Sequence, residues 1–178
     1  MTDLPESCKL NIEYSICTEA TDDCPASLDC LLRPHHRNFN KRLVKSPKLY
    51  FLDTRLLCYL LRVQRAGDLV AHSARGAVFE TWGVSEALKN FYNRAAEPDI
   101  YFWRDSAGHE IGLLVDQGAR QAPIEFKSGQ TIATDFFADL DYWRSLAGQA
   151  DGAAALVYGG DASYQRRGVS VLSWADWA

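Results

Sequence analysis

Two charged side chains, Glu125 and Lys127, stand two residues apart in the strand-like run IEFK, residues 124–127. Successive side chains of a strand point to opposite faces, so this Glu and Lys share one face, while Ile124 and Phe126 share the other. A carboxylate beside an ammonium on a rigid strand can hold a metal ion next to a group that stabilises developing charge. The spacing is compatible with a metal site next to a charge stabiliser, but a Glu and a Lys at alternate positions are also common in any half-exposed strand.

A third acidic side chain, Glu80, belongs to a predicted helix over residues 76–92. At 100° per residue, Glu80 falls on the same stripe as Val84, Ala87 and Phe91. A carboxylate in line with an apolar stripe needs a partner, because burial of an unpaired charge is costly. The alternative is a side chain near the helix end that points to water, and the sequence leaves both open.

The elements that must position these side chains follow one another closely. Strand-like runs over residues 101–103, 109–115 and 123–127 are separated by Ser- and Gly-rich turns. A helix begins near Thr134 or Asp135, and two further strands follow, in AALVYGG and over residues 169–172. A meander of strands between helices, without strict βαβ alternation, predicts an α/β fold with a mixed sheet flanked by helices.

Strand alternation also sorts the side chains of the middle strand, HEIGLLV, residues 109–115. It places Glu110, Gly112 and Leu114 on one face, with the three intervening apolar residues on the other. Along the strand, Glu110 stands about 7 Å from Gly112, because each residue advances the chain by about 3.3 Å.

The chain before residue 76 divides into two predicted regions. Residues 1–30 hold four of the five cysteines but neither a CxxC pair nor a His pair at finger spacing, so we expect reduced thiols in a poorly ordered arm. Residues 31–75 form a basic linker with a strand near residues 48–52 and a helix capped by Asp53 or Thr54. We expect Gly67 and Asp68 to end that helix. Residues 76–178 form the α/β core.

Composition excludes several classes of function. A net charge of -4 in 178 residues gives no global basic surface, and no apolar run approaches the 20 or so residues that span a bilayer. With no signal peptide at the N-terminus, we expect a cytoplasmic chain without a membrane partner. The chain has no P-loop, GxSxG or HExxH, so we expect no ATP site, serine-hydrolase elbow or zincin site.

One local basic segment remains as a candidate contact for DNA or RNA. Its predicted phosphate-binding side chains are Arg37, Lys41, Arg42 and Lys45. Phe39 and Tyr50 are interleaved with basic residues and could stack on bases. The alternative is a solvated connector that leads to the strand.

The segments HRNFNKRLVKSPKLYFLDTRLLCYLL, GAVFETWGVSEALK, IYFWRDSAGHEIGLLVD, IEFKSGQTI and LVYGGD carry a family resemblance. Together they resemble the C-terminal domain of unknown function in a large prokaryotic family of AAA-type ATPases. The resemblance implies a partner, either a separate ATPase module or another protein, because the ATPase module is absent from this chain. That C-terminal domain is in turn similar to PD-(D/E)XK nucleases, whose core runs α-β-β-β-α-β.

The resemblance assigns roles to particular positions. The acid on the first helix corresponds to Glu80, and the E-x-K of the third strand corresponds to Glu125 and Lys127. The Asp of the second strand is replaced by Gly112. In the related nucleases the Asp and the Glu bind magnesium, and the Lys orients the attacking water.

The resemblance therefore implies a catalytic set of Glu80, Glu125 and Lys127, with Glu80 and Glu125 as metal ligands. Because Gly112 removes a ligand, we expect an impaired site in a domain that acts as a nucleic-acid-binding or interaction module. The alternative is an active magnesium-dependent DNA or RNA endonuclease that uses the same three residues.

The basic segment yields a direct test. If Arg37, Lys41, Arg42 and Lys45 contact phosphates, replacing all four with Gln should flatten the salt dependence of nucleic-acid binding, by about 0.9 in the log–log slope per lost contact on duplex DNA. Fluorescence anisotropy with labelled duplex and single strands at several salt concentrations measures that slope. Absence of binding by the unmodified chain at low salt would dispose of the idea.

Overall fold

The computed structural model describes residues 28–35, 46–149 and 152–178 of the chain. The predicted arm before residue 28 lies outside the described residues, as do Arg37, Lys41, Arg42 and Lys45. The described strands are β1 (Asp29–Leu32), β2 (Lys48–Phe51), β3 (Ile100–Arg104), β4 (Glu110–Asp116), β5 (Gln121–Lys127), β6 (Ala155–Tyr158), β7 (Tyr164–Arg166) and β8 (Val169–Ser173). The described helices are α1 (Thr54–Leu60), α2 (Ala66–Ala71), α3 (Arg75–Asn93), α4 (Ala138–Ala147) and α5 (Trp174–Trp177).

The main sheet has six strands in the order β3-β4-β5-β6-β8-β7. β3, β4 and β5 form an antiparallel meander, β5, β6 and β8 run parallel, and β7 returns antiparallel to β8. The prediction of a mixed sheet flanked by helices is confirmed. The sequence analysis did not predict β7, which has only three residues. The turn from β7 to β8 has positive φ angles at Arg167 and Gly168.

One face of the sheet is covered by α3. Its buried stripe includes Val84, Ala87 and Leu88, which pack in one cluster with Phe102 and Phe126 of the sheet. The helix has 19 residues and is amphipathic. Within the described part of the chain, no helix is both long and apolar enough to cross a membrane.

The opposite face is covered by α4, which follows a 3-10 turn at Thr134–Phe137. Leu140 and Trp143 of this helix are fully buried in a cluster with Leu114 and Leu156 of the sheet. The two apolar clusters give the domain three layers, with helix on both sides of the sheet, as a sheet that is apolar on both faces requires.

The segment predicted as a linker is packed on the core. β1 and β2 pair antiparallel, and Leu32 and Tyr50 are each only 3% exposed in the cluster that α3 forms with the sheet. Pro34 bridges to Phe102, and the backbone N–H of His35 donates to the Phe102 carbonyl at 2.7 Å. An isolated two-stranded hairpin is marginal in water, and this one lies against the first strand of the meander and α3.

The helix after β2 ends earlier than the sequence indicates. Asp53 caps α1 as predicted, since its carboxylate accepts from the backbone N–H groups of Arg55 and Leu56. The predicted break at Gly67 and Asp68 was wrong, because both residues lie inside α2. The chain turns instead at Arg62, whose φ of 58° is left-handed and cannot continue a right-handed helix.

The simple alternation predicted along β4 is also corrected. Tyr101 of β3 pairs with Leu114 but Trp103 pairs with Ile111, so Gly112 and Leu113 together oppose a single residue of β3. This β-bulge reverses the parity of the strand beyond it. Leu113 therefore packs in the cluster under α3 and Leu114 in the cluster under α4.

A glycine of α3 sets how closely that helix approaches the sheet. A Cβ at Gly83 would lie 2.1 Å from a ring carbon of Phe126, whereas a Cβ at Gly76 of the same helix would meet nothing within 4 Å. We expect Gly83→Ala to lower the free energy of unfolding by about 1–3 kcal/mol, because the ring must move in a packed core. The matched variant Gly76→Ala should be neutral or stabilising by up to about 1 kcal/mol. Urea denaturation of both variants makes the comparison, and equal effects would show that Phe126 repacks freely.

Candidate functional site

The carboxylate of Glu80 is held by two side chains of β2. The Lys48 ammonium donates to Glu80 Oε1 at 2.8 Å, and the Tyr50 hydroxyl donates to the same oxygen at 2.6 Å. Lys48 and Tyr50 stand two residues apart on a strand, so both reach the same side. Glu80 is thus a partnered carboxylate at the edge of the core, with 25% of its side chain exposed.

Lys48 also binds a second carboxylate, that of Glu110 in β4. The other oxygen of Glu110 lies 3.5 Å from Nε of Arg104 in β3. Burial tends to lower the pKa of Lys48, but the two carboxylates outweigh it and hold that pKa above its usual value. The group therefore contains two carboxylates and two cations, and its charges balance.

Gly112 provides the space that the Glu80 carboxylate occupies. A Cβ at this position would lie 2.9 Å from Glu80 Oε1 and 3.2 Å from its carboxyl carbon. The Tyr50 hydroxyl also lies 3.4 Å from the Gly112 carbonyl oxygen. Burial and the neighbouring Glu80 charge raise the pKa of Tyr50 far above its usual value, so the hydroxyl stays a donor. An Asp at 112 would displace the end of Glu80.

Glu125 and Lys127 form a second, adjoining pair. Lys127 Nζ lies 2.9 Å from Glu125 Oε1, and only 12% of the Glu125 side chain is exposed. Within the described part of the chain, the other carboxylate oxygen, Oε2, is buried without a hydrogen-bond partner. Burial raises the pKa of Glu125 to about 7, although Lys127 opposes the rise. The pKa of Lys127 stands above its usual value, because Glu125 outweighs the effect of burial.

The two groups flank the point where β4 and β5 separate. The β4–β5 pairing begins at Leu113 and Ile124, whereas β5 continues beside β6 as far as Lys127. Because Phe126 packs towards α3, alternation turns Glu125 to the other side of β5. The negative charge of Glu80 contributes to the raised pKa of Glu125, so the Lys48–Glu80–Glu110 group and the Glu125–Lys127 pair are near enough to interact electrostatically. No hydrogen bond or ion pair among the described residues joins them.

These side chains do not fit a magnesium ion as they stand. The Lys48 ammonium already contacts both Glu80 and Glu110, and Gly112 supplies no side-chain ligand. Across residues 28–35, 46–149 and 152–178, no group of three or more His, Cys, Asp or Glu side chains is arranged to hold a metal. Magnesium requires oxygen ligands in near-octahedral geometry, and a resident ammonium competes for those oxygens.

The sequence analysis predicted Glu80, Glu125 and Lys127 as site residues, but it did not predict that Lys48 and Tyr50 hold Glu80. Lys48 and Tyr50 were assigned to a basic, strand-forming segment, and nothing in their spacing indicates which acid they meet. Their one available signal was alternation, since a Lys and a Tyr two residues apart on a strand share a face, as Glu125 and Lys127 do. Glu110 was placed only on the same strand face as Gly112, and the structure shows that its carboxylate accepts from Lys48.

The raised pKa of Glu125 makes a prediction about stability and pH. A carboxyl whose pKa is higher in the folded state binds its proton more tightly there, so stability falls as pH rises from about 4.5 to 7, and the loss persists above pH 7. Glu125→Gln, which mimics the neutral acid, should gain stability relative to the parent between pH 4.5 and pH 8 by up to about 3 kcal/mol. Chemical denaturation at both pH values measures this change. The exposed Glu97→Gln is the control, and an equal pH response in both variants would contradict the assignment.

Comparison with known proteins shows which family the chain belongs to. The family model described as domain of unknown function DUF4143 matches residues 75–177. Uncharacterized proteins of Mycobacterium bovis and Mycobacterium tuberculosis are each 31% identical over 100 residues, which is 56% of this chain and 22% of theirs. The chain thus spans about a fifth of the length of these curated relatives. No solved structure matches it. Because the family model covers more than half of the sequence, the chain belongs to the DUF4143 family.

Proposed function

We propose that this chain is a nuclease-like domain, related to AAA-type ATPases, that is catalytically impaired and acts as an interaction module. One observation carries the proposal: the Lys48 ammonium lies between the Glu80 and Glu110 carboxylates. An ammonium bound to two carboxylates occupies the place where a metal would need those oxygens. The site is then a charge-balanced structural contact that links β2, α3 and β4.

The nuclease-like part rests on element order and on the positions of four residues. From α3 onward the chain runs α-β-β-β-α-β before its last hairpin. Glu80 lies on the helix, Gly112 on the second strand, and Glu125 and Lys127 on the third. This is the arrangement that the resemblance to PD-(D/E)XK nucleases implies, and Gly112 is its one departure.

The impairment rests on Gly112 together with Lys48. Without an Asp at position 112, the remaining acids are Glu80, which Lys48 and Tyr50 hold, and Glu125, which Lys127 holds. Magnesium sites usually combine one or two carboxylates with several waters, so the loss of one carboxylate removes much of the affinity.

A second candidate function, an active magnesium-dependent DNA or RNA endonuclease, has one observation in its favour. Glu125 keeps a buried carboxylate oxygen without a partner among the described residues, and Lys127 stands beside it. An unsatisfied buried oxygen is unusual in native proteins and suits a site that awaits an ion or a water.

The proposed partners are nucleic acid, through the basic segment that holds Arg37, Lys41, Arg42 and Lys45, and a separate ATPase module or other protein. Support for the ATPase comes from the resemblance. The curated relatives carry about four-fifths of their length outside the matched region. Additional domains in longer relatives are what an interaction module would contact.

Calorimetry with magnesium and a cleavage assay test the proposal together. We expect the unmodified chain to show no heat of magnesium binding and no metal-dependent cleavage of plasmid or single-stranded DNA or RNA. Gly112→Asp should raise magnesium affinity, because a second carboxylate then becomes available once the flexible end of Glu80 shifts.

Two outcomes would change the conclusion. Cleavage by the unmodified chain that Lys127→Ala removes would establish the second candidate. Unchanged magnesium affinity in a folded Gly112→Asp variant would show that the strands do not converge on a metal, and only the interaction module would remain.

A further inference from the structure

The Lys48 ammonium is placed as a bound cation would be, between carboxylates of two different elements. It contacts Oε1 of Glu80 in α3 and Oε1 of Glu110 in β4. Because both oxygens contact one nitrogen atom, they are close enough to share a single ion. Both acidic side chains are about a quarter exposed, so water could complete the coordination shell of an ion bound there. The contact that Lys48 makes is therefore one that a divalent cation could make in its absence.

Two aromatic rings also surround the ammonium. Lys48 Nζ lies 5.3 Å from the ring centroid of Tyr50 and 5.8 Å from that of Phe102. A lysine ammonium within about 6 Å of an aromatic ring centroid is attracted by the ring. Magnesium and calcium are bound through oxygen ligands instead, which these rings do not supply. The surroundings of Lys48 therefore suit the resident ammonium.

The charges of the group leave Glu80 dependent on Lys48. Among the described residues, the side chains that donate to Glu80 are Lys48 and the neutral Tyr50. Arg104 lies 3.5 Å from the other oxygen of Glu110, Oε2, and so neutralises only that acid. Loss of the Lys48 charge would leave two carboxylates against one guanidinium. The excess negative charge would favour another cation at the vacated place.

We propose that Lys48 is the built-in cation of the Lys48–Glu80–Glu110 group and that it excludes a divalent ion from the two carboxylates. The inference rests on the proposed function, in which the site is impaired, and it names a residue that keeps the site so. Gly112 acts together with Lys48. A Cβ at position 112 would lie 2.9 Å from Glu80 Oε1, the same oxygen that Lys48 contacts at 2.8 Å. The glycine therefore removes one ligand and leaves room for the contact that occupies another.

The variant Lys48→Met tests this exclusion, because it removes the charge and keeps an unbranched chain beside the two rings. Calorimetry with calcium chloride is the measurement, since calcium accepts flexible oxygen coordination at about 2.3–2.6 Å. We expect Lys48→Met to bind calcium with a Kd on the order of 1 mM, and the unmodified chain to bind it at least about tenfold more weakly. Lys48→Gln, which keeps a hydrogen-bond donor, should show the same gain and replaces Lys48→Met if that variant does not fold.

Three further variants serve as controls. Lys48→Arg keeps the positive charge and should bind calcium no better than the unmodified chain. Lys89→Met removes an exposed lysine of α3 that pairs with Glu86 at 2.7 Å, and it should leave the calcium affinity unchanged. The double variant Lys48→Met/Glu80→Gln should lose the affinity that Lys48→Met gains, because one of the two carboxylates is then neutral.

Three outcomes would overturn the proposal. A folded Lys48→Met or Lys48→Gln variant without a gain in calcium affinity would show that Lys48 does not exclude the ion. Equal gains in Lys48→Met and Lys89→Met would reduce the effect to net charge, and a gain that persists in the double variant would place the ion elsewhere. Any of these beside an unmodified chain without metal-dependent cleavage would remove this inference alone, whereas metal-dependent cleavage by the unmodified chain would remove the proposed function.

Discussion

The ion pair of Lys48 with Glu80 and Glu110 is the interaction on which the arrangement of the site depends. It joins residues that are 32 and 62 positions apart in sequence, and it fastens the β1–β2 hairpin to α3 and to the meander. Each of the three side chains is between a quarter and a third exposed, so the charges are only partly desolvated. Removal of Lys48 would leave the Glu80 and Glu110 carboxylates without their shared cation, so the two ion pairs depend on one side chain.

Two glycines, Gly83 and Gly112, make room for the ion-pair group of Lys48, Glu80 and Glu110. Gly83 lets the ring of Phe126 lie directly against α3, which brings the helix close to the sheet. Gly112 then leaves room above β4 for the end of Glu80. The β-bulge at the same position turns Leu113 into the cluster beneath α3, so the strand supports the helix immediately beside the acidic group. The fold thus places a carboxylate over a glycine, and the neighbouring hairpin neutralises it.

The chemistry of the molecule is therefore divided between two surfaces. At the edge of the sheet, four charges cancel in one group, and Glu125 and Lys127 pair in another. On the side formed by α1, α2 and α5, the side chains of Tyr59 and Trp174 remain well exposed. This division fits the proposed interaction module, in which the charged groups are structural contacts.

The sequence by itself determined the features that repeat within one element. A period of two put Glu125 and Lys127 on one face, and a period of 3.6 put Glu80 in line with apolar residues of α3. The order of the runs indicated a mixed sheet with helices on its faces. Only the tertiary structure decided that Lys48 and Tyr50 hold Glu80 and that a bulge reverses the parity of β4. The spacing of apolar residues in the sequence indicates which way a side chain points from its own helix or strand. The partner it meets is set by the packing of elements far apart in the chain, and in this protein that packing is adjusted at glycines, whose missing side chains leave no signal in a hydrophobic pattern.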